Sequence, residues 1–166
     1  QLLREETDAQ LLEQPAELVQ PCIGCAALVG LSTQPALFEW AQLGQALGAK
    51  IVRVFSGYFT DLADHQADWN KCTTALRECA AVCADHGLVL GVQNHHDVGV
   101  DVAAFGELLD DINHPNAKAM FDPWSIALTG GDLYESAKRM APLMVQTTLA
   151  DYVRLPRFHY RPELVN

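Results

Sequence analysis

Apolar and polar positions fall into repeating blocks along this chain. Leu88–Val92 is unbroken apolar sequence, and Gln93, Asn94, His95, His96 and Asp97 follow it at once. A run that short, without alternation, reads as a strand buried on both faces. Comparable strands are expected within Leu18–Val29, at Ile51–Phe55, at Ala117–Phe121 and within Leu143–Ala150. Between them the spacing turns helical. Ser32, Thr33 and Pro35 form a helix start, after which Leu37, Trp40, Ala41, Gly44, Leu47 and Gly48 share one helical face. A longer helix, about Ala67 to His86, aligns Trp69, Cys72, Leu76, Cys79, Ala80 and Cys83, and Gly87 stops it. Asp101 caps a helix running to Ile112 with Phe105, Leu108 and Leu109 turned inward. Gly130-Gly131 precede Asp132-Leu-Tyr-Glu135, a capping-box pattern, and Leu133, Ala137 and Met140 mark the helix it opens. Residues 1–17 read as a charged, Gln-rich helix interrupted near Pro15, and 151–166 as an aperiodic tail.

Strands thus begin near Ile23, Ile51, Leu88, Ala117 and Met144, at intervals of 28, 37, 29 and 27 residues, each with one helix between. Strict alternation of this kind predicts parallel strands joined by helical crossovers. A doubly wound sheet and a (β/α)8 barrel both satisfy it. No Gly-x-Gly-x-x-Gly follows any strand, which removes the signature of dinucleotide binding. The expectation is an α/β fold: a parallel (β/α) TIM-barrel fragment of about five of the eight βα units, with residues 1–166 as a single, incomplete domain.

Composition narrows the partners. Eleven Lys and Arg against 21 Asp and Glu give a net charge of −10, which disfavours nucleic acid, since phosphate binding needs a positive field. No apolar run is long enough for a transmembrane helix and no signal segment opens the chain, so no membrane partner is expected. The five cysteines are an odd count, which argues against a secreted disulfide scaffold and makes a reducing cytoplasm the expected compartment. Cys22-x-x-Cys25 with Cys79-x-x-x-Cys83 has zinc-like spacing, but Cys72, Cys79 and Cys83 fall on an apolar helical face and are expected to be core. The chain begins at Gln1 without an initiator Met, as a piece of a longer protein would.

Parallel strands bring their carboxyl ends to one rim, where α/β barrels place their ligands. That rim collects Cys25, then Ser56 and Tyr58, then Gln93 to Asp97, then Asp122, Trp124 and Ser125, then Gln146, Thr147, Thr148 and Asp151. Carboxylate, imidazole, amide and hydroxyl groups together suit a divalent metal or a polyhydroxylated ligand. Arg154 and Arg157 follow the last strand, where a phosphate group would find cations.

Four segments in this order resemble the xylose isomerase-like TIM barrels, and within them the sugar phosphate isomerase/epimerase group. They are Gly-Ala-Lys-Ile-Val-Arg-Val-Phe-Ser-Gly (48–57), Leu-Gly-Val-Gln-Asn-His (90–95), Ala-Met-Phe-Asp-Pro-Trp (119–124) and Thr-Leu-Ala-Asp-Tyr (148–152). The resemblance runs from the third strand of such a barrel to the loop after its seventh. It implies a sugar or sugar-phosphate isomerase or epimerase, with a divalent metal (Mn, Mg, Co or Zn) assisting proton transfer next to a carbonyl. The family holds its metal with Glu, Asp, His and Glu. By position these fall on Gln93, Asp122 and Thr148, while the last Glu belongs to an eighth strand outside this chain. His95 or His96 is the candidate for the missing nitrogen ligand. The resemblance thus places Gln93 and Asp122 in the catalytic positions and Asn94, His95, Trp124, Arg154 and Arg157 against substrate. Gln93 is a departure with a chemical cost, because an amide cannot accept a proton as a carboxylate does. Two alternatives follow: a catalytically degenerate barrel that binds a polyol or protein partner, and an endonuclease IV-like phosphodiesterase. A homo-oligomer is among the expected assemblies.

Overall fold

The computed structural model describes residues 22–24, 33–56, 64–95, 99 and 101–148. Its elements, in chain order, are β1 (Cys22–Gly24), α1 (Thr33–Ala46), β2 (Ile51–Phe55), α2 (His65–Asp85), β3 (Val89–Gln93), α3 (Val102–Ile112), β4 (Ala117–Phe121), α4 (Pro123–Thr129), α5 (Leu133–Met140) and β5 (Met144–Thr147). All four strand pairings are parallel, and the order in space is the order in sequence. The described strands fall within the segments where the sequence places them. No helix among the described residues is long and apolar enough to cross a membrane.

The two faces of the sheet differ. Val52, Val54, Leu90, Val92, Ala119 and Phe121 join the main core with Leu76, Cys79, Cys83, Phe105, Leu108, Ile112 and Met140 of the helices. Ile51, Gly91 and Met120 pack on the other face. A Cβ on Gly91 would stand 2.7 Å from Met120 Cγ and 2.9 Å from Ile51 Cγ2, so only glycine fits this layer. Cys72, Cys79 and Cys83 are buried on α2 and none is in a disulfide, as their helical spacing predicts. Burial pushes the Cys72 thiol up to about 12, and its S–H donates to Ser56 O. The zinc-like alternative also involves Cys25, which lies outside the described residues.

Several helix signals act as expected. Asp101 accepts from the Ala103 and Ala104 amides, and Asp132 from those of Tyr134 and Glu135. Gly87 closes α2 at φ 68°, a left-handed conformation that costs glycine little. Two expectations need correction. The apolar stripe of α1 is only partly covered: Ala41 and Gly44 are buried, whereas Trp40 is 37% and Leu47 68% exposed. Periodicity fixes which residues share a face, not whether another element packs on it. Helix α4 adds a second helix between β4 and β5, where one was expected; Asp122, legible in the sequence as a helix or turn cap, opens it ahead of a first-turn proline.

Candidate functional site

Register explains why distant residues meet. Phe55 pairs with Gln93, Gln93 with Met120, and Met120 with Gln146, so these four side chains form one row across one face of the sheet. Side chains two residues further along return to the same face, which puts His95, Asp122 and Thr148 in the next row. Thr148 reaches that row because of an irregularity in β5. Ala119 pairs with Met144, but Met120 pairs with Gln146, so Val145 is skipped. Without the skip Thr147 would stand beside Asp122; with it, Thr148 does. Re-aiming one side chain is the usual structural effect of a bulge.

Asp122 is the centre of the site. It is 3% exposed and caps α4, with Oδ1 accepting from the Trp124 amide at 3.1 Å. Oδ1 also accepts from Thr148 Oγ1 at 3.1 Å. Oδ2 accepts from Gln93 Nε2 at 2.9 Å and from Ser125 Oγ at 2.9 Å. Burial raises the carboxyl pKa, but hydrogen bonds from Gln93, Ser125, Thr148 and the Trp124 amide outweigh it and hold the group below its ordinary value. Gln93, Asp122 and Thr148, three positions that share a role by resemblance, are thus joined by direct hydrogen bonds.

Asn94 is fully buried and spends both ends of its amide on the Asp122 backbone: Oδ1 accepts from Asp122 N at 2.6 Å, and Nδ2 donates to Asp122 O at 3.2 Å. This clamp ties the end of β3 to the end of β4. His95 is half-buried, its ring 5.0 Å from that of Phe55. Trp124 is half-buried in the first turn of α4. Arg154 and Arg157 lie outside the described residues, as do His96 and Asp97.

Arg53 escaped the sequence reading, and two groups that it placed at the rim, Ser125 and Gln93, gain their particular contacts only in the structure. Ser125 is a full partner of Asp122, legible as the residue three beyond a capping Asp. Arg53 stands with its guanidinium 5.5 Å from the centre of the Phe55 ring, and its buried Nε makes no hydrogen bond among the described residues. A cation inside the apolar run Ile-Val-Arg-Val-Phe was the available signal. Gln93 Oε1 is buried and makes no hydrogen bond among the described residues, an acceptor left open at the strand end.

The resemblance implies a divalent metal, and the residues can be tested against one. A carboxylate has about four acceptor positions, and Asp122 fills four: two donors on each oxygen. Among the described residues no three His, Cys, Asp or Glu side chains gather into a metal-binding group. In this arrangement the donor set does not fit a metal. Two clefts of about 310 and 320 Å3 are lined by described residues, but they lie between helices, around Asp132 and Arg139 and around Trp69 and Glu107.

Comparison with known proteins agrees with this architecture. The probable 3-DHS dehydratase AsbF of Bacillus anthracis, involved in petrobactin synthesis, superposes with a TM-score of 0.71 at 19% identity, over 96% of this chain and 61% of that one. An L-ribulose 3-epimerase gives a TM-score of 0.67 at 15% identity, over 81% and 56% of the two chains. A D-tagatose 3-epimerase-like protein gives 0.66 at 16%, over 86% and 59%. The chain therefore spans about six tenths of the length of these proteins, and at such identities the likeness is one of fold. No curated protein sequence matches it significantly. A family model does match, over residues 36–160, well over half of the chain, and by that match the chain belongs to the xylose isomerase-like TIM barrel family.

Proposed function

We propose that this chain forms the sugar-facing wall of a sugar or sugar-phosphate isomerase or epimerase, one that moves a proton next to a carbonyl. The observation that supports it best is the convergence of three strand ends on Asp122 with the Gln93 acceptor left open. Gln93 Oε1 is suited to take a hydrogen bond from a sugar hydroxyl, while its Nε2 is held by Asp122. Asn94 fixes the backbone beneath that pair. Neither Gln93, an amide, nor Asp122, committed to four donors, is free to carry a proton. His95 is the described strand-end residue whose ordinary chemistry is proton exchange near neutral pH, and it takes that role here. Trp124 supplies an apolar surface at the rim, and Arg154 and Arg157 bind the phosphate of a phosphorylated substrate.

The degenerate, polyol-binding barrel is the second reading, and the Gln93 amide favours it. Solvent deuterium separates the two. The intact protein is incubated in D2O with a panel of ketoses, aldoses and their phosphates, and carbon-bound deuterium is read by NMR, with binding read by calorimetry. Exchange that is lost in His95→Gln but not in binding supports the isomerase reading. Binding without exchange on every sugar moves the function to the degenerate barrel. Retained exchange in His95→Gln removes that residue from the chemistry, and a loss of binding to phosphates alone in Arg154→Ala or Arg157→Ala assigns the phosphate site.

A further inference from the structure

We propose that Gln93, Ser125 and Thr148 form a neutral hydrogen-bond cage that holds Asp122 in place of a divalent cation, with the Gln93 amide as the group that keeps the cation out. This goes beyond the sugar-chemistry reading and does not depend on it. The argument is a count of acceptors and charges. Oδ1 of Asp122 is filled by the Trp124 amide and Thr148 Oγ1, both at 3.1 Å. Oδ2 is filled by Gln93 Nε2 and Ser125 Oγ, both at 2.9 Å. A cation arriving at this carboxylate would displace these donors, and the Trp124 N–H is a main-chain group that cannot turn away to become a ligand. Gln93 could turn its oxygen toward a cation held at Oδ2 only by flipping its amide, which removes the Nε2 donor from Oδ2. Even then the cation would meet, among the described residues, one anionic ligand and otherwise neutral oxygens. Affinity of oxygen sites for hard cations follows the number of charged ligands, so this site is a poor competitor with water. The cage does by hydrogen bonds what a cation would do by coordination: it holds the ends of β3 and β5 and the first turn of α4 around one carboxylate. Asp122 is then a positioning residue.

Replacing Gln93 by Glu reverses the logic. An ionised Glu donates nothing and sets a second carboxylate against Oδ2, and two buried carboxylates in contact favour a bridging cation or a shared proton over two bare charges. The probe is Mn2+, titrated into the metal-stripped intact protein. Bound metal is read from loss of the free-ion EPR signal, and Tm is followed with Mn2+ or with EDTA. Asp122→Asn defines which binding belongs to this carboxylate. Wild type is expected to show no Mn2+ binding that Asp122→Asn removes, and no Tm response to EDTA. Gln93→Glu is expected to gain about one Mn2+ per chain and a Tm that rises with Mn2+, both lost again in the Gln93→Glu/Asp122→Asn double variant. Stoichiometric wild-type binding that Asp122→Asn abolishes overturns the proposal. A folded Gln93→Glu that gains no site overturns the role given to the amide. The wild-type comparison decides the main point even if Gln93→Glu does not fold.

Discussion

Asp122 illustrates how one side chain does two structural jobs. It caps α4 through the Trp124 amide and joins β3 to β5 through Gln93 and Thr148. Hydrogen bonds to a charged acceptor are the stronger kind, and removing the acceptor strands its buried donors. Asp122→Ala is therefore expected to lower stability by about 3 kcal/mol or more. Asp122→Asn costs less, about 1 kcal/mol, because the Gln93 amide can turn over and accept from the new N–H. Urea unfolding of both variants checks the order, and an alanine variant as stable as the asparagine one would contradict it. Protonation gives a second handle. The folded carboxyl sits below its unfolded value of about 3.9, so its contribution is complete above that value. It is lost as the pH falls through the folded pKa. The stability difference between wild type and Asp122→Asn should be flat from about pH 5 upward and shrink below about pH 4. A difference independent of pH over that range would show that the charge on Asp122 contributes nothing.

At the scale of elements, the helical layer is joined by side chains that reach neighbouring helix and strand ends. Arg77 on α2 donates from Nε to Ile112 O at 2.7 Å and from Nη2 to Asp111 O at 2.6 Å, satisfying carbonyls that α3 leaves open at its end. Trp69 Nε1 donates to Asp111 Oδ2 at 2.7 Å, and Asn116 Nδ2 bridges Ala80 O at 3.1 Å and Leu88 O at 2.8 Å. Cationic groups near a helix C-terminus also meet its negative end favourably. Arg77→Met keeps the apolar stem but removes the donors, and is expected to cost about 1–2 kcal/mol in thermal or urea unfolding. Arg77→Lys should recover only part of that, because one ammonium cannot reproduce the fork. Full recovery by lysine would mean that charge, not the paired geometry, holds α2 to α3.

For the molecule as a whole, charge is the dominant long-range property. A net charge of −10 repels polyanions at low ionic strength, where steering is strongest. The intact protein is expected to neither retard nor cleave duplex DNA in low salt with Mg2+, whereas an endonuclease IV-like activity would require both. Retardation that weakens steeply with salt would reveal a basic patch and revive that reading. The parallel sheet also decides where chemistry is placed, since every strand delivers its terminal side chains to the same rim. Family membership identifies this five-stranded sheet with the xylose isomerase-like TIM barrel fold.

What the sequence determined by itself is local. An unbroken apolar run placed β3, and short apolar runs interrupted only by Arg53 and Lys118 placed β2 and β4, because a strand packed in a sheet has few polar positions to spare. Asp101, Asp132 and Gly87 marked helix ends through hydrogen bonding and backbone freedom that depend only on near neighbours. Strict alternation of strand and helix fixed the parallel order, and that order placed Gln93, Asp122 and Thr148 at one rim. Only the tertiary structure decided what those residues do to one another. Gln93 lies 29 positions before Asp122 and Thr148 26 after it, and their contact depends on register and on the skipped Val145, neither of which any local pattern encodes. The same holds for Trp40 and Leu47: periodicity grouped them with Ala41, but exposure depends on what packs against α1. A short helix such as α4 was missed because seven residues give too little period to detect, although its cap, Asp122, was already in view as a site residue. The sequence could name the carboxylate; only the fold shows that four donors already hold it.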